Sequence, residues 1–325
     1  MNREIKVSVI NLCYNHEKYI RKTLEGFVKQ KTNFCFEVLA HDDASTDGTA
    51  NIIREFAEKY PDIIIPILQT DNQHSKKVHI RNTLLYPIMR GKYIAVCEGD
   101  DYWEDEYKLQ KQVDMLEKYS DCVICTHDVQ KVTEGGEVIV GDLIPATGNS
   151  YSEGMLEQDR FMREILQNGY PFHTSSFMYR KSLLDRYMDE KPEFYKLFPI
   201  GDFALLCYAA TCGGCYYIHE VMSSYRTNAV GSWTTRIKTD MQKLSERYKK
   251  GIMALESLDQ FTEYKYHEDI CNVIIRDEIT IYIIDRTYRK MLKYIGHNSL
   301  KHRRVKYLLL AIVDYILPDI FVKKK

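Results

Sequence analysis

Residues 6–97 alternate short, β-branched apolar runs with amphipathic stretches, and nothing else in the chain restricts the fold as much. Buried strands joined by helices of this kind build strand–helix–strand units on a mostly parallel sheet. Residues 6–12 predict the first strand, and residues 17–30 a helix with Ile20, Leu24, Phe27 and Val28 on one stripe. Residues 36–41 predict a second strand. The helix predicted over 49–60 turns Ile52, Ile53, Phe56, Ala57 and Tyr60 inward, and Ser45, Thr46 or Asp47 is available as its cap. A strand at 63–69, a helix at 80–89 closed by Gly91, and a strand at 92–97 complete the series.

In open α/β sheets ligands sit beyond the carboxyl ends of the strands. Two acidic clusters fall at such ends, Asp42-Asp43 and Glu98-Gly99-Asp100-Asp101, so both are expected to face one crevice. The adjacent carboxylates Asp100 and Asp101 offer the hard oxygen donors that suit Mg²⁺ or Mn²⁺. The alternative is a cap for the helix that starts near Glu106. The run from Asp42 to Thr49 fails as an EF-hand loop, because its twelfth place is Arg54 where a bidentate Glu is required. It remains a capping cluster, or a carboxylate offered to a base or ribose. Neither G-x-G-x-x-G nor G-x-x-x-x-G-K-[ST] occurs, which argues against nicotinamide and P-loop enzymes.

Beyond a strand at 122–129, residues 133–153 are rich in Gly and polar side chains and predict a loop. A helix at 159–167, a strand at 175–180, a helix at 203–212 and a strand at 216–218 follow, and from about 236 the pattern is helical, which places a domain boundary at 235/236. Among 325 residues, 45 Lys+Arg balance 46 Asp+Glu, which argues against a nucleic-acid partner. The balance is uneven: residues 286–325 carry eleven basic and two acidic side chains, +9, and residues 1–285 carry −10. A basic tail beside an apolar run suits an anionic membrane surface, a solvated extension or a dimer face. The nine cysteines and the absence of a signal-like start predict a reducing, cytoplasmic setting, and no stretch of about 18 residues is free of charge, so no spanning helix is expected. The pairs Cys122/Cys125 and Cys212/Cys215 are too far apart in sequence for a usual zinc site and predict core and turn positions.

The ordered set Val7-Ser-Val-Ile-Asn-Leu-Cys-Tyr14-Asn15, Asp42-Asp43-Ala-Ser45-Thr46-Asp47, Arg81-Asn82, Gly91-Lys-Tyr-Ile, Glu98-Gly-Asp100-Asp101, Gly201-Asp202-Phe and Ser224-Tyr225-Arg226 resembles family 2 glycosyltransferases of the GT-A fold. It spans residues 5 to about 235, with the remainder a C-terminal helical extension. The resemblance implies an inverting enzyme that moves a sugar from a nucleotide-diphosphate donor, a UDP-sugar, to the hydroxyl of a saccharide or lipid-linked saccharide, with Mn²⁺ or Mg²⁺ as cofactor. By position it makes Asp43 a contact to the base and Tyr14 the lining of the base pocket. Asp100 contacts ribose or metal, Asp101 ligates the metal, and Asp202 is the general base. Arg81 and Arg226 become contacts near the nucleotide.

Leu12 and Asn228 depart from the family pattern; many relatives carry His at the latter place. Without the resemblance, Asp202 reads first as an N-cap or first-turn acid of an apolar helix. Trp103 is weighed as an acceptor-side stacking surface against a packing residue, and His173 as a pocket residue against a structural histidine. A non-catalytic nucleotide-sugar-binding scaffold and a sugar-nucleotide pyrophosphorylase are the competing readings. The second needs a Gly-rich N-terminal phosphate loop, and residues 11–18 contain no Gly.

Overall fold

The computed structural model describes residues 4–145, 152–229, 241–287 and 290–295. The chain divides into two compact units, Met1–Lys191 with Leu205–Ser232, and Pro192–Ala204 with Trp233–Lys325.

The first unit is built on a sheet that begins as the sequence pattern predicts. Strands β1 (Ile5–Cys13), β2 (Cys35–Asp42), β3 (Ile64–Leu68) and β4 (Tyr93–Glu98) are all parallel, in the order β3-β2-β1-β4. Helices α1 (Ile20–Val28) and α2 (Thr49–Lys59) connect the first three strands. α1 buries Ile20, Leu24 and Phe27, and α2 buries Ile53 and Phe56, which seats each apolar stripe on a core with Val7, Val9, Val38 and Ala40. The segment expected as one helix at 80–89 is instead a π-helical turn, Arg81–Leu85, followed by a single 3₁₀ turn, Tyr86–Ile88. Pro87 in that second turn lacks the N–H that a continued α-helix needs.

Beyond β4 the sheet becomes mixed, so the mostly parallel description holds for its first four strands. The short β5 (Tyr102–Trp103) leads to α3 (Lys108–Lys118) and then to β6 (Cys122–Val132). β7 (Val138–Ile144) folds back antiparallel on β6 and occupies a segment expected as loop. After β8 (Gly154–Leu156) and α4 (Gln158–Asn168), β9 (Met178–Arg180) lies antiparallel between β4 and β6. Helices α5 (Lys181–Glu190), α6 (Glu193–Leu197) and α7 (Gly201–Cys212) precede β10 (Gly214–Arg226). β10 is parallel to β6 along its length and antiparallel to β5 and β8.

Under β5 the packing is tight. A Cβ at Gly26 of α1 would stand 2.9 Å from the Trp103 carbonyl oxygen, so glycine lets the helix meet the strand. Trp103 is buried edge-on to Phe27 with centroids 4.7 Å apart, and the buried Lys108 ammonium sits 4.1 Å from its ring centre and donates to Gln112 at 2.6 Å. Burial pushes that ammonium down to about 7.

The second unit is helical. α8 (Met241–Phe261) and α9 (His267–Ile284) are joined by a turn in which Glu263 and Tyr264 take positive φ. α8 buries Ile252, Leu255 and Leu258; α9 buries Ile270 and Val273. Phe194 of α6 packs edge-on to Phe261, 5.2 Å between centroids. Among the described residues no helix is long and apolar enough to cross a membrane. Residues 296–325, most of the basic tail, lie outside the described residues.

Candidate active site

The chain runs β1, β2, β3 to one edge and returns to β4 on the other side of β1, which sets the switch point of the sheet between β1 and β4. Cys13 stands opposite Asp42 and Leu12 opposite Glu98. The Asp43 amide donates to the Cys13 carbonyl at 2.9 Å and the Gly99 amide to the Leu12 carbonyl at 3.0 Å, so both acidic loops are pinned to the end of β1.

In the loop after β2 the carboxylates are well supplied with donors. Asp42 accepts from the Ser45 amide at 3.0 Å and from the Ser45 hydroxyl. Asp43 accepts from the Gln73 amide at 2.7 Å and the His74 amide at 3.0 Å. Asp47 accepts from the Thr49 amide at 3.0 Å, from the Thr49 hydroxyl at 2.5 Å and from the Glu17 amide at 3.1 Å. Burial pushes the Asp47 carboxyl up, but these donors outweigh it and hold the group below its usual range. Asn15 and Ala44 take positive φ, and Asn15 accepts from the Thr46 amide at 2.8 Å while donating its own to the Ser45 hydroxyl oxygen at 2.8 Å. Tyr14, at the tip of β1, is 41% exposed.

The loop after β4 has the opposite character. Glu98, Asp100 and Asp101 bring carboxylate oxygens within 4.8 Å of one another, with Asp100 8% and Asp101 2% exposed. Oδ1 of Asp100 is buried and receives no hydrogen bond. Asp101 accepts from the Arg226 amide at 2.9 Å. Burial, then the charges of Asp100 and Glu98, push the Asp101 carboxyl well above the usual carboxylate range. Three crowded oxygen donors, one of them without a partner, fit a divalent cation such as Mg²⁺ or Mn²⁺, whose charge would relieve the repulsion.

The frame around this cluster is built from small and main-chain groups. A Cβ at Gly99 would stand 2.6 Å from Cys13 Sγ and 2.7 Å from His16 Nδ1, so no larger residue fits between the acids. The Thr23 hydroxyl reaches the carbonyls of Gly99 and Asp101 at 3.0 and 2.6 Å.

The structure brings Arg226 to the acid pair, though its guanidinium braces the backbone there. Nε donates to the Asp100 carbonyl at 3.0 Å, Nη1 to the Glu134 carbonyl, and the plane lies 4.7 Å from the Tyr19 ring centre. His173 also arrives, with Nδ1 3.8 Å from Asp101 Oδ2 and its ring 4.3 Å from that of Tyr225. Burial pushes its imidazole down to about 3, so it is neutral, and Nδ1 accepts from the Ser175 amide at 3.3 Å.

Sequence reasoning singled out His173 without placing it beside Asp101; its setting in the polar run His173–Ser176 between Phe172 and Phe177 is the signal available. Trp103 is not an exposed stacking surface: it is buried, and its indole N–H donates to the Ser175 carbonyl at 3.2 Å. Arg81 is buried at the start of the π-helical turn. Asp202 is half-buried in the first turn of α7, in the segment assigned to the second unit. Asn228 sits at φ +59°, a conformation that asparagine tolerates better than most side chains.

Residues 8–188 match the family model for glycosyl transferase family 2. The chain is 34% identical over 248 residues to an uncharacterised protein of Mycobacterium tuberculosis, an alignment that covers 76% of this chain and 66% of that protein. Staphylococcus aureus TarS, solved with UDP-GlcNAc, superposes with a TM-score of 0.55 at 15% identity, covering 97% of this chain and 92% of that one. A mannosyltransferase from Pyrobaculum calidifontis, solved with GDP-Man and Mn²⁺, gives 0.51 at 18% identity, covering 98% and 89%. Both solved structures share the GT-A architecture with this chain.

Proposed function

The chain belongs to glycosyltransferase family 2, and from that premise we propose that it moves a sugar, with inversion, from a UDP-sugar to a hydroxyl of a saccharide or lipid-linked saccharide, in the assembly of a cell-surface polysaccharide or glycolipid. The observation that carries this reading is the Glu98-Asp100-Asp101 cluster beyond β4, with a buried carboxylate oxygen that receives no hydrogen bond. The neighbours solved with UDP-GlcNAc and with GDP-Man and Mn²⁺ support a nucleotide-sugar donor and a divalent ion.

Transfer forms a bond between the acceptor oxygen and the anomeric carbon as the bond from that carbon to the diphosphate breaks. Asp101 and Asp100 would hold Mn²⁺ or Mg²⁺, which would supply positive charge against the departing diphosphate. Asp43 accepts a hydrogen bond from the base, Tyr14 offers that base a ring face, and Arg81 adds positive charge near the nucleotide. Arg226 holds the acid loop in shape through the Asp100 carbonyl and the Asp101 carboxylate. Asp202 takes the proton from the acceptor hydroxyl as it attacks, a role typically worth about 10² to 10⁴ in rate. The +9 balance of residues 286–325 supports peripheral contact with an anionic membrane on its cytoplasmic face. Equal flotation with neutral and anionic vesicles would remove that contact.

Hydrolysis of a panel of UDP- and GDP-sugars, with and without chelator, tests the central reading. A UDP-sugar should be consumed, and only with Mn²⁺ or Mg²⁺ present. Saturable nucleotide-sugar binding without turnover, in the presence of candidate acceptors, would favour the binding-scaffold reading instead.

A further inference from the structure

The helical hairpin of the second unit carries a cluster that sugar transfer does not use. α9 opens at His267, and Cys271 follows one turn later on the same face. His267 Nδ1 lies 2.6 Å from Asp259 Oδ2, while Nε2 lies 3.5 Å from Cys271 Sγ. Asp259, near the end of α8, is 6% exposed, whereas the His267 side chain is 60% exposed. The second carboxylate oxygen of Asp259 is buried and receives no hydrogen bond. A buried carboxylate so placed orients the imidazole it pairs with, leaving Nε2 toward the thiol. A base within reach of a thiol can take its proton, and the thiolate is the nucleophile.

The order carboxylate, imidazole, thiol is that of a nucleophile activated by an oriented base. Six of the nine cysteines are buried, and only Cys35, Cys212 and Cys271 are half-exposed. Burial pushes the Cys212 thiol up. Other titratable groups around Cys271 are Glu268 and Asp269 in the first turn of α9, and Tyr294, whose hydroxyl is pushed up to about 12 by burial and then by Glu278, and so stays neutral. The imidazole held by Asp259 is therefore the base within reach of the thiol at this position.

We propose that Cys271 is a modification site, a thiol activated by His267 and Asp259 that exchanges with low-molecular-weight disulfides. The Cys271 thiolate attacks one sulfur of the disulfide, a new S–S bond forms as the old one breaks, and the other half leaves as a thiolate. The leaving half takes up the proton that Cys271 gave to His267 Nε2. The protein thiol is oxidised to a mixed disulfide, and the small disulfide is reduced to one free thiol. Such exchange needs a base within reach of the thiol and access to it, and Cys271 is half-exposed with His267 Nε2 at 3.5 Å, whereas acyl transfer also needs donors aimed at an oxyanion.

The test treats the full chain with oxidised glutathione near neutral pH and follows each cysteine by peptide mass spectrometry. Cys271 should form its mixed disulfide ahead of Cys35 and Cys212, and His267→Gln should slow it about tenfold with the circular dichroism melt unchanged. Asp259→Asn should slow it less. Equal rates at Cys35 or Cys212, or an unchanged Cys271 rate in His267→Gln, would overturn the proposal. If that variant does not fold, the pH profile of Cys271 alkylation by iodoacetamide in the unaltered chain decides. A midpoint well below the ordinary thiol value of about 8.5 supports activation, and one at that value overturns it.

Discussion

The loops after β2 and β4 leave the sheet on either side of β1, and both are rich in carboxylates, yet they are in opposite electrostatic states. Asp42, Asp43 and Asp47 accept amide and hydroxyl hydrogen bonds within their own neighbourhood, so that loop is finished as it stands. Glu98, Asp100 and Asp101 crowd one another with an undonated oxygen among them, so that loop has the donors a cation would take up. Acid count does not separate a loop satisfied from within from one open to a cation; the number of donors aimed at each acid does.

Asp101→Ala should produce the largest effect, because on the proposed reading it removes a ligand of the metal that meets the diphosphate. Calorimetry should show divalent-dependent UDP binding weakened by on the order of 10²-fold or more. Unchanged affinity in that variant, or in chelator, would remove the metal from the β4 loop and with it the contrast to the β2 loop.

Asp202→Asn comes next and asks whether an acid outside both loops does the proton transfer. Turnover should fall by about 10² or more with donor affinity and melting preserved. Asparagine caps a helix about as well as aspartate, so near-normal turnover would return Asp202 to a structural role.

Lys108 sharpens the contrast from beneath, as a buried base under β5 rather than an acid at a strand end. Its folded value near 7 lies below the ordinary lysine value, so between about 7 and 10.5 the unfolded chain holds a proton that the folded chain has released. The contribution of Lys108 to stability should therefore rise with pH across that window, opposed above the ordinary thiol range by the buried cysteines with raised values, and the cost of burying the charge is complete below it. Lys108→Met should flatten this slope and stabilise the chain at neutral pH by about 1 to 3 kcal/mol, read from urea melts at several pH values. A gain from Lys108→Met that fails to shrink between pH 7 and 10 would contradict the sign.

The smallest effect belongs to the finished loop. Asp47→Ala should cost about 1 kcal/mol of stability, as loss of a helix cap does, and leave the metal dependence of nucleotide binding intact.

What the sequence disclosed followed periodicity. The stripes of α1 and α2 and the apolar runs of β1, β2 and β4 are one-dimensional patterns with a single good solution, so the parallel half of the sheet was legible before any coordinates. β7 was not, because its side chains lie along an exposed hairpin and Val140 is 93% exposed, so no buried face writes an alternation into the sequence. The length of β10 was hidden for another reason: its register against β6 shifts repeatedly between Ile218 and Ser223, which breaks the two-residue period. At the site, the acids were legible as acids, whereas the contrast between them was not. His173 reaches Asp101 from a turn before β9, and the Thr23 hydroxyl reaches it from α1, contacts that only the packed sheet creates.

One feature of the acids bears on how this site tolerates change. The donors to Asp43 are the amides of Gln73 and His74, and a donor to Asp101 is the amide of Arg226. Main-chain donors survive almost every codon change, since only proline removes an N–H. The side chains at 73 and 74 are thus free to drift without costing Asp43 these bonds, whereas Arg226 also braces the acid loop through its guanidinium. Proline scanning at 73 and 74 would find a fragility that alanine scanning passes over.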